Sequence, residues 1–327
     1  MPIVERDPWR MQYFEGAKCP DDVFVPTEDG DAYELYPQHR WLYNKLLVAE
    51  CQDMACGLHG MTPKHFPVFS KPVYNMRGMG AESRIFRSAK EYLLHQKPGH
   101  FWMPLLQGEH VSTDVAVEAG EPRWWRHVTG EAIGDGMFDY WTVLAAARPE
   151  IESYCGDWLR RHLEGYTGMV NFETIGARII EAHLRFSDQW PDLYGRGWID
   201  ALVRLYAEGR WDYADDDRRE GYSVVLFGPH GQQYWHPNPE LVQELGSHPM
   251  ITSVQITFHE DKPPKAHSMP PGGFRLAIIN CWDLAAGIHA RERLALRFWA
   301  TQQIVPKRPR RKRAVPAAAA AAQGARV

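Results

Sequence analysis

Apolar and polar side chains alternate from Met169 to Thr174, break at Gly176, and alternate again from Arg178 to His183. That pattern predicts two short strands joined by a tight turn. Successive strand side chains point to opposite faces, so Glu181, His183 and Arg185 share one side while Ile180 and Ala182 take the other. Glu173 joins the charged side from the partner strand. Two carboxylates, an imidazole and a guanidinium on one face are unfavourable together unless a cation and an anion hold them there. A metal bound to phosphate meets that requirement.

The same reading places the remaining elements around the hairpin. Before it come a short strand at Val23 to Pro26 and a turn at Glu28, Asp29 and Gly30. Trp41, Leu42, Leu46, Ala49 and Cys51 have helical spacing, and Lys45 lies on that helix. His65 to Pro72 reads as a strand ending near Lys71, followed by a loop containing Arg77, Gly78 and Gly80. Backbone N–H groups of such a loop can reach a phosphate chain while the lysine supplies charge. Ser88 to Gln96 reads as an amphipathic helix with Ser88 as its N-cap. His100 to Leu106 is a buried apolar segment, and Glu109 opens a strand whose hairpin partner is Trp124 to Thr129. A helix over Glu150 to His162 leads into the charged hairpin. Beyond Arg185 the pattern gives a helix from Trp198 to Tyr206, a solvated charged turn over Asp212 to Arg219, and a last module from Tyr222 to Trp299. That module has strands at SVVLF, ITSVQITF and RLAIIN, a helix near Glu240, and a final helix from Asp283.

Composition narrows the class. The 327 residues are 44% hydrophobic and 24% charged, enough for a sizeable core. Five cysteines are scattered without CxxC spacing, which supports neither a disulfide framework nor a structural zinc site. The charged start MPIVERDPWR and the lack of long apolar runs predict a cytoplasmic protein that does not enter membranes. From Pro306 to the end there are seven basic residues and no acidic one, leaving 30 basic against 41 acidic residues in the rest. So acidic a body is not expected to bind nucleic acid. The basic and alanine-rich tail, residues 306–327, reads as disordered. His110, His127, His230, His236, His259 and His267 match no metal spacing and read as structural, and the tryptophans as core or rim.

Taken in order, Trp41 to Arg185 resembles the ATP-grasp superfamily, which includes biotin carboxylase and the carboxylate–amine ligases. Four elements carry the resemblance: YNK with Lys45; FPVFSKP with Lys71, followed by RGMG; WMPLLQGEHVSTDVAV; and NFET with IIEAHLR. The resemblance implies an α+β fold in which two α/β lobes clasp ATP, here over residues 41–210. A short segment 1–40 precedes it, in place of the full substrate domain of those relatives. A small C-terminal α/β module follows over 220–303. It further implies that Lys45, Lys71, Arg77, Gly78 and Gly80 meet the phosphates. Met103 and Leu105 would hold adenine through a carbonyl and an N–H, and Glu109 the ribose. Glu173, Glu181 and His183 would bind Mg2+ or Mn2+, and Arg185 with Lys71 would act on the transferred phosphoryl group. His183 stands where the family has asparagine, which substitutes a nitrogen for a hard oxygen.

The implied activity joins a small-molecule carboxylate to an amine, or another nucleophile, through an acyl-phosphate made with Mg-ATP. An ATP-binding protein of this fold without ligase activity, and a metal-dependent hydrolase, are the alternatives. A homodimer is left open.

Overall fold

The computed structural model describes residues 7–76 and 80–301. The chain opens with two short helices, α1 (Pro8–Met11) and α2 (Asp29–Leu35), and a 3-10 turn over Pro37–Tyr43 before α3 (Lys45–Glu50). Four short strands follow: β1 (Gly57–Leu58), β2 (Val68–Pro72) and β3 (Arg84–Phe86), then α4 (Ala89–Leu94) and β4 (His100–Pro104). They form one antiparallel sheet in the order β1-β4-β2-β3.

The second sheet begins with β5 (His110–Glu118), β6 (Glu121–Gly134) and β7 (Met137–Val143). Helix α5 (Pro149–His162) leads to β8 (Gly168–Ile175) and β9 (Arg178–His183). After α6 (Trp198–Glu208) come β10 (Gly221–Gly228), α7 (Pro239–Gly246), β11 (Ile251–Ile256), β12 (Phe274–Cys281) and α8 (Leu284–Thr301). All eight strands share one sheet in the order β11-β12-β10-β7-β6-β5-β8-β9. The C-terminal strands join it through β10, whose Gly221 to Val224 lie opposite Val143 to Tyr140 of β7. No helix among the described residues is long and apolar enough to cross a membrane.

Period-two patterning divides the hairpin between core and cavity. Val170 and Phe172 of β8, with Ile179 and Ala182 of β9, pack under Trp158 and Leu159 of α5. Each such fully buried large side chain contributes about 1.5–3 kcal/mol. Helix α5 forms there because Pro149 fits its first turn, with Glu150 and Glu152 at the N-terminus and Arg160, Arg161 and His162 at the C-terminus complementing the helix dipole. The opposite face of the hairpin is polar.

The turn between β8 and β9 is a two-residue connection at Gly176 and Ala177, with φ of 55° and 60°. Both central residues with positive φ is the hairpin turn whose twist matches the flanking strands. A Cβ on Gly176 would stand 2.4 Å from the Gln107 carbonyl oxygen. Gly176→Ala is therefore expected to lower stability by about 2 kcal/mol, measured by urea unfolding; an unchanged midpoint would argue against this turn.

Several expectations are corrected. The helix expected across Trp41 to Cys51 is interrupted at Asn44, whose side chain caps α3 by accepting from the N–H groups of Leu46 and Leu47. The Asp29 turn is instead the start of α2, and Val25 makes only an isolated bridge. The charged turn over Asp212 to Arg219 is not simply solvated: Asp215 accepts from Trp124 at 2.9 Å, from Arg126 at 3.2 Å and from Arg218 at 2.8 Å. Arg126 is fully buried there, so Asp215 is its counter-ion. Strand β7 escapes a period-two reading because most of its residues are half-buried on both faces. The Trp124 and Trp190 rings are core, as expected.

Candidate active site

The polar face of the β8–β9 hairpin is built by register. Glu173 lies opposite Glu181, and Asn171 opposite His183. On the other flank Ser112 and Asp114 of β5 face Glu173 and Asn171. Glu173, Glu181, His183 and Arg185 all line one cavity of about 810 Å³, together with Lys71 and Gly80.

Two lysines converge on Glu181. Lys45, at the first position of α3, places Nζ 2.6 Å from Glu181 Oε1. Lys71 places Nζ 3.8 Å from the same oxygen and donates to the Ile180 carbonyl at 2.6 Å. This bond ties the four-stranded sheet to the edge strand of the larger one. Both lysines are buried. Burial pushes the Lys71 ammonium down to about 8, helped by Lys45 and opposed by Glu181.

The consequence for stability has a definite sign. Below pH 8 both folded and unfolded Lys71 carry the proton, and the full penalty of the buried charge is present. Between 8 and the ordinary lysine value of 10.5 the folded state loses its proton first, so the penalty fades as pH rises. Lys71→Met is therefore expected to raise stability at pH 7 by on the order of 2 kcal/mol, with the gain shrinking between pH 8 and 10.5. Urea unfolding of the two proteins across that range checks it; equal stabilities at pH 7 would refute it.

His110 and Asp29, neither expected to take part, complete the site. His110 Nε2 lies 3.4 Å from Glu173 Oε2. Burial works to raise the Glu173 carboxyl, but His110, His183 and Lys45 outweigh it and hold the group below the ordinary carboxylate range. Burial likewise works to lower His110, and Glu173 more than compensates, so this imidazole is raised. Asp29 receives His183 Nδ1 at 3.0 Å and Arg185 Nε at 2.9 Å. Burial favours its neutral form, yet Arg185 and His183 hold it well below the usual range. Arg185 is raised in return, chiefly by Asp29 against the opposing effect of burial.

The donor set suits a cation that arrives with phosphate. Among the described residues no three His, Cys, Asp or Glu side chains are arranged to hold a metal by themselves. What the hairpin offers is two carboxylates facing each other across a strand pair. Asp29 occupies Nδ1 of His183, which leaves Nε2, 3.8 Å from Glu181 Oε2, as the nitrogen on the carboxylate side. Magnesium is commonly held by one or two carboxylates with substrate phosphates completing its shell. The hairpin fits that mode.

The other expected residues are dispersed. Arg77 and Gly78 lie outside the described residues, as does the tail. Met103 is buried opposite Phe69, and Leu105 follows the end of β4. Glu109 is half exposed and pairs with Arg148 at 3.3 Å. Lys45, Met103, Leu105 and Glu109 are not among the residues that line the cavity. His110 had a signal in the sequence, since His110, Ser112 and Asp114 share one strand face; Asp29 had none.

Known structures share this architecture over most of the chain. An L-amino acid ligase from Bacillus licheniformis superposes with a TM-score of 0.58 at 11% identity, over 88% of this chain and 82% of that one. A phosphoribosylamine–glycine ligase from Thermotoga maritima gives a TM-score of 0.58 at 13% identity, over 85% and 83%. The chain has the ATP-grasp fold. Within that fold it is also similar to N5-carboxyaminoimidazole synthase from Aspergillus clavatus, solved with ADP and 5-aminoimidazole ribonucleotide, with a TM-score of 0.57 at 13% identity over 84% and 81%. No protein-family model and no curated protein matches the sequence. The α+β class and the ATP-grasp likeness expected from the four motifs are thus observed.

Proposed function

We propose that the protein is an ATP-dependent ligase that joins a small-molecule carboxylate to an amine through an acyl-phosphate. The observation that carries the reading is the cross-strand pair Glu173 and Glu181, beside the buried Lys45 and Lys71 and in one cavity with Arg185. Nothing in a surface hairpin requires two buried ammonium groups on one carboxylate. A polyphosphate does, because it exchanges partners with the lysines and frees the carboxylate for a cation.

In this reading Lys45 and Lys71 turn from Glu181 to phosphate oxygens, and Glu173 with Glu181 would hold Mg2+ or Mn2+. The ion, when bound, supplies charge neutralisation at the phosphate oxygens. A substrate carboxylate oxygen bonds to the γ-phosphorus as the bond to ADP breaks. The amine nitrogen then bonds to the acyl carbon, phosphate leaves, and the amine gives up a proton. Arg185, oriented by Asp29, stabilises charge on the transferred phosphoryl group.

The test is ADP release from Mg-ATP with panels of carboxylates and amines, each alone and combined. Release that requires both partners is the expected result. Tight ATP binding with no ADP formed across the panel would leave a nucleotide-binding role. Metal-dependent hydrolysis indifferent to ATP would point to a hydrolase.

A further inference from the structure

Three arginines among the described residues line the cavity: Arg10, Arg185 and Arg275. Two of them are matched. Arg10 pairs with Asp7, Glu28 and Asp188, and Arg185 with Asp29. Arg275 has no ion pair or side-chain hydrogen bond among the described residues, and its Nε–H is shut off from solvent without an acceptor. The acidic groups acting on it are Asp188 and Asp7, both already engaged by Arg10.

His267 has the same deficiency. Its Nε2 accepts the backbone N–H of His259 at 3.0 Å, so the proton of the neutral ring sits on Nδ1. That Nδ1 is buried and has no acceptor either. His267 lines the cavity and packs on Phe274, the neighbour of Arg275 in β12. Each unsatisfied buried donor costs about 1–3 kcal/mol. Both line the same cavity, where an acceptor-rich ligand would satisfy them. A guanidinium fork matches a carboxylate through two parallel bonds.

We infer that Arg275 and His267 form the anchor for a carboxylate group of the co-substrate, so that the amine joined in this site belongs to an amino acid. The anchor deepens the ligase reading and rests on it. The triphosphate has its own cations in Lys71, which lines the hairpin side of the cavity, and Lys45, which shares Glu181 with it, and this leaves Arg275 for the second molecule.

Calorimetric titration of the full chain, with and without a non-hydrolysable Mg-ATP analogue, tests the anchor against amino acids, their carboxamides and inorganic phosphate. At least one amino acid is expected to bind, with its carboxamide roughly 10- to 150-fold weaker. Arg275→Met should weaken the acid by a similar factor and leave nucleotide affinity unchanged. The apo variant should also melt at or above the wild-type temperature, because a solvent-shielded Nε–H without an acceptor is removed; Arg275→Lys should recover part of the binding. Carboxamides bound as tightly as acids overturn the inference, as do acids bound equally by Arg275→Met. Nucleotide binding with no acid bound, or phosphate alone bound through Arg275, overturns it as well. Failure of the nucleotide analogue to bind counts instead against the ligase reading, since the acid arm is also measured without it.

Discussion

Glu181→Gln is expected to remove ATP turnover by at least about 100-fold and to lower stability by about 3 kcal/mol. Both effects come from one oxygen. Glu181 Oε1 is the counter-ion of Lys45 at 2.6 Å and lies near Lys71 at 3.8 Å, and both ammonium groups are buried. Glutamine keeps the shape and removes the charge, leaving two buried cations with a neutral amide. The same change takes a carboxylate from the pair proposed to hold the cation. Adding Lys45→Met to Glu181→Gln should restore much of the lost stability, since the unpaired charge is gone, while turnover stays lost. Urea unfolding and ADP release, each read on the single and double variants, separate the roles. Turnover within tenfold of wild type in Glu181→Gln would remove the hairpin from the chemistry.

Asp29→Asn carries the second large effect, about 3 kcal/mol of stability at pH 7. The carboxylate is the shared acceptor of His183 and Arg185 and is itself buried, so its loss strands a guanidinium. Its folded pKa lies below the ordinary aspartate value of 3.8, so its contribution is fully present above pH 4 and is lost as pH falls further. The gap in unfolding free energy between wild type and variant should thus be constant from pH 5 to pH 7, and narrow below about pH 4. A gap that persists unchanged at pH 2.5 would show that Asp29 acts through packing rather than charge. Because Asp29 also fixes Nδ1 of His183, turnover should fall with a larger change in kcat than in the KM for ATP, as expected for a positioning residue.

How much of this site could be read beforehand depends on the range over which each interaction acts. Glu173, Glu181, His183 and Arg185 were legible because strand alternation is local and the turn at Gly176 announces itself. Lys71 was legible as a charge ending an apolar strand, and Lys45 only through its place in the ordered motifs, although it begins a short capped helix rather than riding on a long one. Asp29 was not legible: its partners lie more than 150 residues away, and no periodicity links a helix start to a distant strand end. Arg126 and Asp215 failed for the same reason, since a charge run reads as solvated unless its buried partner is known. Arg275 and His267 were invisible for a different one. What marks them is the lack of a partner, and only folded neighbours reveal that.

The pairing of β7 with β10 gives the molecule a ruler. Strands β8 and β12, which carry Glu173 and Arg275, belong to one hydrogen-bonded ladder and stand five strand intervals apart. That is about 24 Å along the sheet and less across any curve in it. No hinge between separate sheets can stretch this span. A co-substrate anchored at Arg275 must therefore fit a fixed length, and substrate choice becomes a question of reach as much as of charge.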